Sequence, residues 1–150
     1  MARLYSGKHG KSGSTKPSKI KKPIWLRYNE KEVELLVVKL FRQGYMPSKI
    51  GMILRDTYGI PSVKAVTGKK ITKILEEKGL QLELPEDLRA LIRKYVKVAK
   101  HFQNNHKDMT AKRGLILTRS KIDRLVKYYK RVGKLPKDWK FDPEKAALYV

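Results

Sequence analysis

At 150 residues the chain suits one ordinary domain, or a small domain beside a smaller one. Its 36 Lys and Arg against 14 Asp and Glu leave a net charge of +22, a self-repulsion that a polyanion such as nucleic acid would offset. No run approaches the roughly 18 consecutive apolar residues of a spanning helix, and the start of the chain has no apolar secretory core. The absence of cysteine excludes disulfides and cysteine-based zinc fingers; the cytoplasm is the expected setting, with no membrane partner.

Residues 1–28 hold eight cations, Arg3, Lys8, Lys11, Lys16, Lys19, Lys21, Lys22 and Arg27, and no acid. Gly7, Gly10, Gly13, Pro17 and Pro23 break any periodicity, so this stretch reads as a disordered basic arm that orders on RNA as counterions leave. Trp25, Leu26 and Tyr28 are expected to anchor its end.

From residue 29 to 79 the pattern is that of a small helical subdomain. Asn29 and Glu32 have capping-box spacing, and Val33, Leu36, Val37, Leu40 and Phe41 form one apolar stripe that Gly44 stops. Pro47 and Ser48 open a second helix with Ile50, Ile53 and Leu54 inward, ended by Gly59. Pro61 and Ser62 start a short helical turn through Val66, and a further helix from about Gly68 places Ile71, Ile74 and Leu75 inward and ends at Gly79.

Residues 80–150 read as a long antiparallel helical hairpin with a terminal helical turn. Pro85, Glu86 and Asp87 suit the start of its first helix, where acids meet the positive end of the dipole. Leu88, Leu91, Ile92, Tyr95, Ala99 and Phe102 share one face of that helix, and Ala111, Leu115, Thr118, Ile122, Leu125 and Tyr129 share one face of the next. Between them Asn104 and Asn105 suit a left-handed turn, Asp108 suits the cap of the second helix, and His101, His106, Lys107, Lys112 and Arg113 are expected to carry donors outward. Gly133 and Pro136 close the hairpin, Trp139 and Phe141 are expected to fold back on it, and Asp142, Pro143 and Glu144 start the last turn through Leu148. The predicted class is all-α, without strands or repeats.

The segment from His101 to Leu115 has the register His-x6-Asp-x4-Arg-Gly-Leu, and Arg124, Leu125, Tyr128 and Arg131 continue it. In these positions, with Lys107, the chain resembles the universal small-subunit ribosomal protein fifteen family, called protein thirteen in eukaryotes. The resemblance covers roughly residues 85–140, and the basic N-terminal half is similar to the extension of archaeal and eukaryotic members. It implies a structural constituent of the small ribosomal subunit, monomeric there. Its partners would be small-subunit rRNA, neighbouring ribosomal proteins and the facing large subunit, and it would organise a three-way junction of the central domain on the platform. By the same resemblance His101 and Asp108 approach an RNA minor groove, where an imidazole and a carboxylate can bond 2′-hydroxyls and base amino groups. Tyr128, Arg131 and their neighbours Arg124 and Lys127 would grip the junction. The chain departs from bacterial members at Ala111, where they often carry Ser. Thr110 is the neighbouring hydroxyl. The bacterial Thr-Gly pair and Gln before the hairpin are also missing from Leu80 to Asp87.

The candidate RNA-binding residues are therefore His101, Lys107, Asp108, Thr110, Lys112, Arg113, Gly114, Arg124, Lys127, Tyr128 and Arg131, with the arm cations Arg3 to Lys22. Gly114 lies inside a helix at a cost of about 1 kcal/mol relative to Ala, which either packing or close approach of RNA would explain. A metal at His101, His106 and Asp108 is not expected, because the ligand set is incomplete and surrounded by cations. Catalysis and cofactors are not expected either, since no phosphate-binding Gly loop or nucleophile-base pair is present. The competing reading is a helix-turn-helix DNA regulator built on Ser48 to Lys78, with Lys69 and Lys70 opening its last helix.

Overall fold

The computed structural model describes residues 22–80 and 82–149, all helical or irregular, with no strand among them. They divide into two compact units, one ending at Leu82 and one beginning at Glu83. Of the basic arm, residues 1–21 lie outside the described residues.

The first unit holds α1 (Glu30–Arg42), α2 (Pro47–Asp56), α3 (Val63–Thr67) and α4 (Ile71–Glu77). The Asn29 backbone N–H donates to Glu32 Oε2 at 2.8 Å, so the capping box forms and α1 starts where expected. Val33, Val37, Leu40, Ile50, Leu54, Ile74 and Leu75 bury together in one core, with α1 packed on α2, α3 and α4. Leu26 is buried and Tyr28 sits edge-on to Tyr58 at 6.1 Å, anchoring the chain as expected. Trp25 does not share that role: its side chain is 71% exposed, and its indole N–H reaches the Gly59 carbonyl only at 3.4 Å.

Gly68 ends α3 instead of opening α4. Its φ is +68°, a left-handed conformation that only Gly adopts without a Cβ penalty, and it donates its N–H to Lys64 O at 3.0 Å. Thr67 beside it is buried because its hydroxyl donates to the Val63 carbonyl at 3.0 Å.

The second unit is the hairpin. α5 (Glu86–Asn104, 19 residues) packs against α6 (Met109–Val132, 24 residues), and α5 is also covered by a terminal 3-10 helix, Glu144–Tyr149. Leu88, Ile92, Tyr95, Ile122, Val126 and Tyr129 are buried between the elements with Leu84, Leu135 and Ala146. Phe141 meets Tyr95 edge-on at 5.3 Å and Trp139 packs on the same cluster, so the C-terminal segment folds back as predicted. Gly133, at φ +77°, closes α6, and Lys134 N–H returns to Tyr129 O at 2.9 Å.

Candidate nucleic-acid interface

The tip of the hairpin spans residues 105–108 between α5 and α6. Asn105 does not take the expected left-handed turn; its φ is −131°, and no residue other than Gly has positive φ among those described. The chain turns without a left-handed residue because both Asn105 donors serve the end of α5: the backbone N–H reaches His101 O at 3.0 Å and Nδ2 reaches the same oxygen at 3.1 Å. The His101 carbonyl thus accepts twice, and the same backbone N–H also reaches Phe102 O at 3.3 Å, so the helix end is satisfied without a left-handed residue.

Asp108 caps α6. Its Oδ1 accepts from the Ala111 N–H at 2.8 Å and from the Thr110 hydroxyl at 2.6 Å, and its Oδ2 faces His101 Nε2 at 3.0 Å. These donors, the Thr110 hydroxyl foremost, then the Ala111 amide and His101, hold the Asp108 carboxyl well below the usual carboxylate range. With Asp108 ionised, His101 Nε2 is the donor, and Asn105 Nδ2 approaches the other ring nitrogen at 3.4 Å. His106 Nδ1 faces the Phe102 carbonyl at 3.0 Å and must also carry its proton there. The expectation that both imidazoles carry donors outward is thus corrected: each turns one N–H into the turn. Lys107, Lys112 and Arg113 remain exposed. The six residues His101 and Asn104 to Asp108 line an open depression of about 400 Å³. Among the described residues no cluster of three His, Asp or Glu is placed to hold a metal ion.

The ionised Asp108 carboxylate stabilises the fold in a pH-dependent way. Because the folded-state pKa lies below the ordinary 3.8, the stabilisation is complete above that pH and is lost as the pH falls through the folded value. The stability gap between the wild type and Asp108→Ala is expected to be constant from neutral pH down to about 4 and to close below it. Urea titrations across that range measure it; a gap that widened in acid would show the opposite linkage.

Gly114 follows one turn into α6. A Cβ built on it meets nothing within 4 Å among the described residues, so their packing does not require a glycine there. Farther along, Arg113, Arg124, Lys127 and Arg131 fall within about 60° of one another around α6 at 100° per residue, on the side away from buried Ile122 and Val126. Tyr128 flanks this stripe, 47% exposed; its ring lies edge-on to Tyr129 at 5.2 Å, with the Arg131 guanidinium 5.8 Å from its centre. At about 1.5 Å of rise per residue, Tyr128 lies about 30 Å from the tip.

What holds that far end is a contact the spacing did not foretell. The Tyr129 hydroxyl donates to both Asp87 oxygens, at 2.7 and 2.6 Å, tying the C-terminal part of α6 to the first turn of α5. Burial first, and Asp87 second, push the Tyr129 phenol above its ordinary range. Tyr129→Phe is expected to cost about 1 kcal/mol, below the usual range for a hydrogen bond to a charge because Asp87 is exposed to water. A raised folded pKa means that this stabilisation is full below the ordinary 10.0 and fades as the pH rises through the folded value. Denaturation midpoints of the two proteins should therefore converge above about pH 10, and an alkaline-independent gap would contradict the contact.

Comparison with known proteins decides the family. Residues 1–60 match the Ribosomal S13/S15 N-terminal domain, and residues 70–149 match Ribosomal protein S15. The chain belongs to the ribosomal protein S15 family. It is 52% identical over 143 residues to the small ribosomal subunit protein uS15 of Hyperthermus butylicus, an alignment covering 95% of this chain and 89% of that protein. It is 53% identical over 143 residues to small ribosomal subunit protein uS15 of Staphylothermus marinus, covering 94% and 93%. The match to the N-terminal domain as well as to the hairpin places it on the archaeal-eukaryotic branch of the S15 family, whose members are ribosomal proteins and not enzymes.

Seen as an S15-family hairpin, the candidate residues sort into a tip set, His101, Lys107, Asp108, Thr110, Lys112, Arg113 and Gly114, and a far set, Arg124, Lys127, Tyr128 and Arg131. Thr110 is at the tip, but its proton is given to Asp108, leaving the oxygen as an acceptor. Of the arm cations Lys22 and Arg27 are among the described residues, and both are exposed. Lys69, proposed to open a DNA-recognition helix, has its ammonium on Glu77 at 2.6 Å and near Glu34 at 3.8 Å, and α4 has 7 residues. One further group belongs to neither set and to no motif: Arg93, Lys94, Lys97 and Lys100, exposed on α5.

Proposed function

We propose that this chain binds small-subunit rRNA and organises it by holding two features of that RNA at the ends of one rigid hairpin. The observation that carries this is the spacing of two solvent-facing sets on the α5–α6 pair: the capped, hydrogen-bonding tip and the Tyr128–Arg131 end about 30 Å away. The tip offers a fixed ionised Asp108 with acceptor capacity left on Oδ2, a His101 ring held against it, and a glycine that admits close approach. Those groups fit the wide, shallow minor groove of A-form RNA. The far set fits a junction, where an exposed aromatic ring can stack and Arg and Lys can neutralise converging phosphates.

Family membership supports the broader part of this reading, an RNA-binding structural role in the small subunit beside other ribosomal proteins. The finer part is that the junction belongs to the central domain, that the chain sits as a monomer on the platform facing the large subunit, and that residues 1–28 form an arm ordered by RNA. The 29–79 subdomain takes the place of the bacterial Thr-Gly and Gln contacts. No helix among the described residues is long and apolar enough to cross a membrane.

The test uses three substitutions at the tip, measured on an rRNA junction transcript and on a plain RNA duplex. His101→Ala and Asp108→Asn are expected to weaken junction binding about tenfold while leaving duplex binding unchanged, since groove-edge hydrogen bonds specify and phosphate contacts only position. Asn keeps the helix cap, so a loss in Asp108→Asn reflects recognition and not unfolding. Gly114→Ala is expected to raise the stability of the free protein by about 1 kcal/mol and yet weaken junction binding. Equal losses on both RNAs would reduce the tip to an electrostatic contact.

A further inference from the structure

α5 carries a second cationic surface that neither the tip nor the α6 stripe accounts for. Arg93, Lys94, Lys97 and Lys100 are all exposed, and helical spacing sets them opposite Leu88, Ile92 and Tyr95, which are buried. None of the four has an ion-pair or hydrogen-bond partner among the described residues. From Leu88 through Lys107 the chain contains no Asp or Glu, whereas α1 carries Glu30, Glu32 and Glu34 and α6 carries Asp123. The result is a positive strip on the outer face of α5 whose four cations span about 10 Å at 1.5 Å per residue.

The strip faces away from the α6 stripe. Two helices packed side by side turn their outer faces in opposite directions, and with interaxial separations of about 8–10 Å and helix diameters of about 10–12 Å the pair is about 20 Å across. A nucleic-acid segment lying on the outer face of α6 therefore does not cover the outer face of α5. The α5 strip holds no large aliphatic side chain; its one aromatic ring is His101 at the C-terminal end, engaged with Asp108, and Ala90 and Asn104 are uncharged. It lacks the buried anchor on which a protein interface depends, and Lys is depleted at the centres of such interfaces. Unpaired, solvated ammonium and guanidinium groups in a row are what a phosphate backbone neutralises with release of counterions.

We infer that the outward face of α5, centred on Arg93, Lys94, Lys97 and Lys100, is a second RNA-phosphate-binding face that engages an RNA segment distinct from those held by the tip and by α6. It rests on the RNA-binding reading of the hairpin and adds to it. The hairpin then acts as a spacer between two RNA segments, and the contact on α5 carries no base preference because it reaches phosphates alone.

The full-length protein with Arg93, Lys94, Lys97 and Lys100 all changed to Gln tests this against small-subunit rRNA transcript. Gln retains helix propensity, and unchanged far-UV circular dichroism verifies the fold; a Lys97→Glu, Lys100→Glu variant supplies an independent perturbation of the same face. Both variants are expected to lower the steepness of log affinity against log salt, by about 2 to 4 for the Gln variant at roughly 0.9 per phosphate. Hydroxyl-radical footprinting should lose one set of protected nucleotides and keep the set that responds to His101→Ala. Unchanged steepness and an intact footprint in both variants would overturn the inference, as would variants that keep every RNA protection but lose crosslinks to a neighbouring protein in assembled subunits. Failure of the wild-type protein to bind the transcript would instead overturn the RNA-binding reading beneath it.

Discussion

Raising monovalent salt from about 50 mM to about 200 mM is expected to weaken binding of this protein to its rRNA by about 10³ to 10⁵, if roughly six to ten phosphates are neutralised. The excess of 36 cations over 14 acids motivates that number of contacts, and the structure shows that the cations are not consumed internally. In the first unit Arg55 pairs with Asp56, and Lys69 with Glu77 and Glu34. The hairpin keeps Lys107, Lys112, Arg113, Lys127 and Arg131 exposed. Filter binding over a salt series measures the effect, and a nearly flat plot would mean that base contacts dominate.

The second large effect is expected in the buried core of the hairpin, on the face of α6 opposite the exposed cations. Ile122 is fully buried, 0% exposed, and belongs to the cluster with Ile92, Tyr95 and Val126. Ile122→Ala removes three heavy atoms from a site where α5 and α6 can collapse only partly, so it should lower stability by about 2 to 5 kcal/mol. Total stability of a small domain is about 5 to 15 kcal/mol, and a loss on this scale loosens the strut that fixes the distance between tip and junction end. Denaturant midpoints measure the stability. Junction binding should fall while plain duplex binding, which needs charge and not spacing, falls much less. A variant with native stability would show that the two helices hold together without this core.

Much of this was legible before any coordinates. The 3-and-4 spacing of Leu88, Ile92 and Tyr95 and of Thr118, Ile122 and Tyr129 is a local signal that survives folding because each helix buries one stripe, and those six residues are buried. Capping is equally local: Asn29 with Glu32, and Asp108 with Ala111, act within three residues. The misreadings came where a side chain replaced a backbone device. Asn105 was expected to turn left-handed, but its amide satisfies the His101 carbonyl and makes that unnecessary. Gly68 caps α3 although its place in the chain suits the start of α4 equally well, because a glycine between two short apolar runs marks a boundary without saying which run it ends.

Long-range pairing left no local trace. Asp87 reads as a dipole-stabilising acid and Tyr129 as one more apolar position, and only the register of α5 against α6 brings their oxygens within 2.7 Å across 42 residues. His101 and Asp108 were both singled out, but nothing in a spacing of seven says that they bond each other at 3.0 Å. The α5 cations escaped for a different reason: an unbroken run without acids from Leu88 to Lys107 is visible in the chain, yet solvated charge on a helix is ordinary until the opposite face is known to be occupied.

The most direct measurement is photocrosslinking from the two ends of the hairpin in purified small subunits, with a crosslinking residue placed at Lys107 in one protein and at Lys127 in another, followed by sequencing of the attached RNA. Two small-subunit rRNA sites should be recovered, one from each position, lying about 30 Å apart in the folded RNA as the rise of α6 requires. Absence of the protein from the subunits, or one scattered set of RNA sites shared by both positions, would contradict a rigid hairpin that binds two defined features of the small-subunit rRNA.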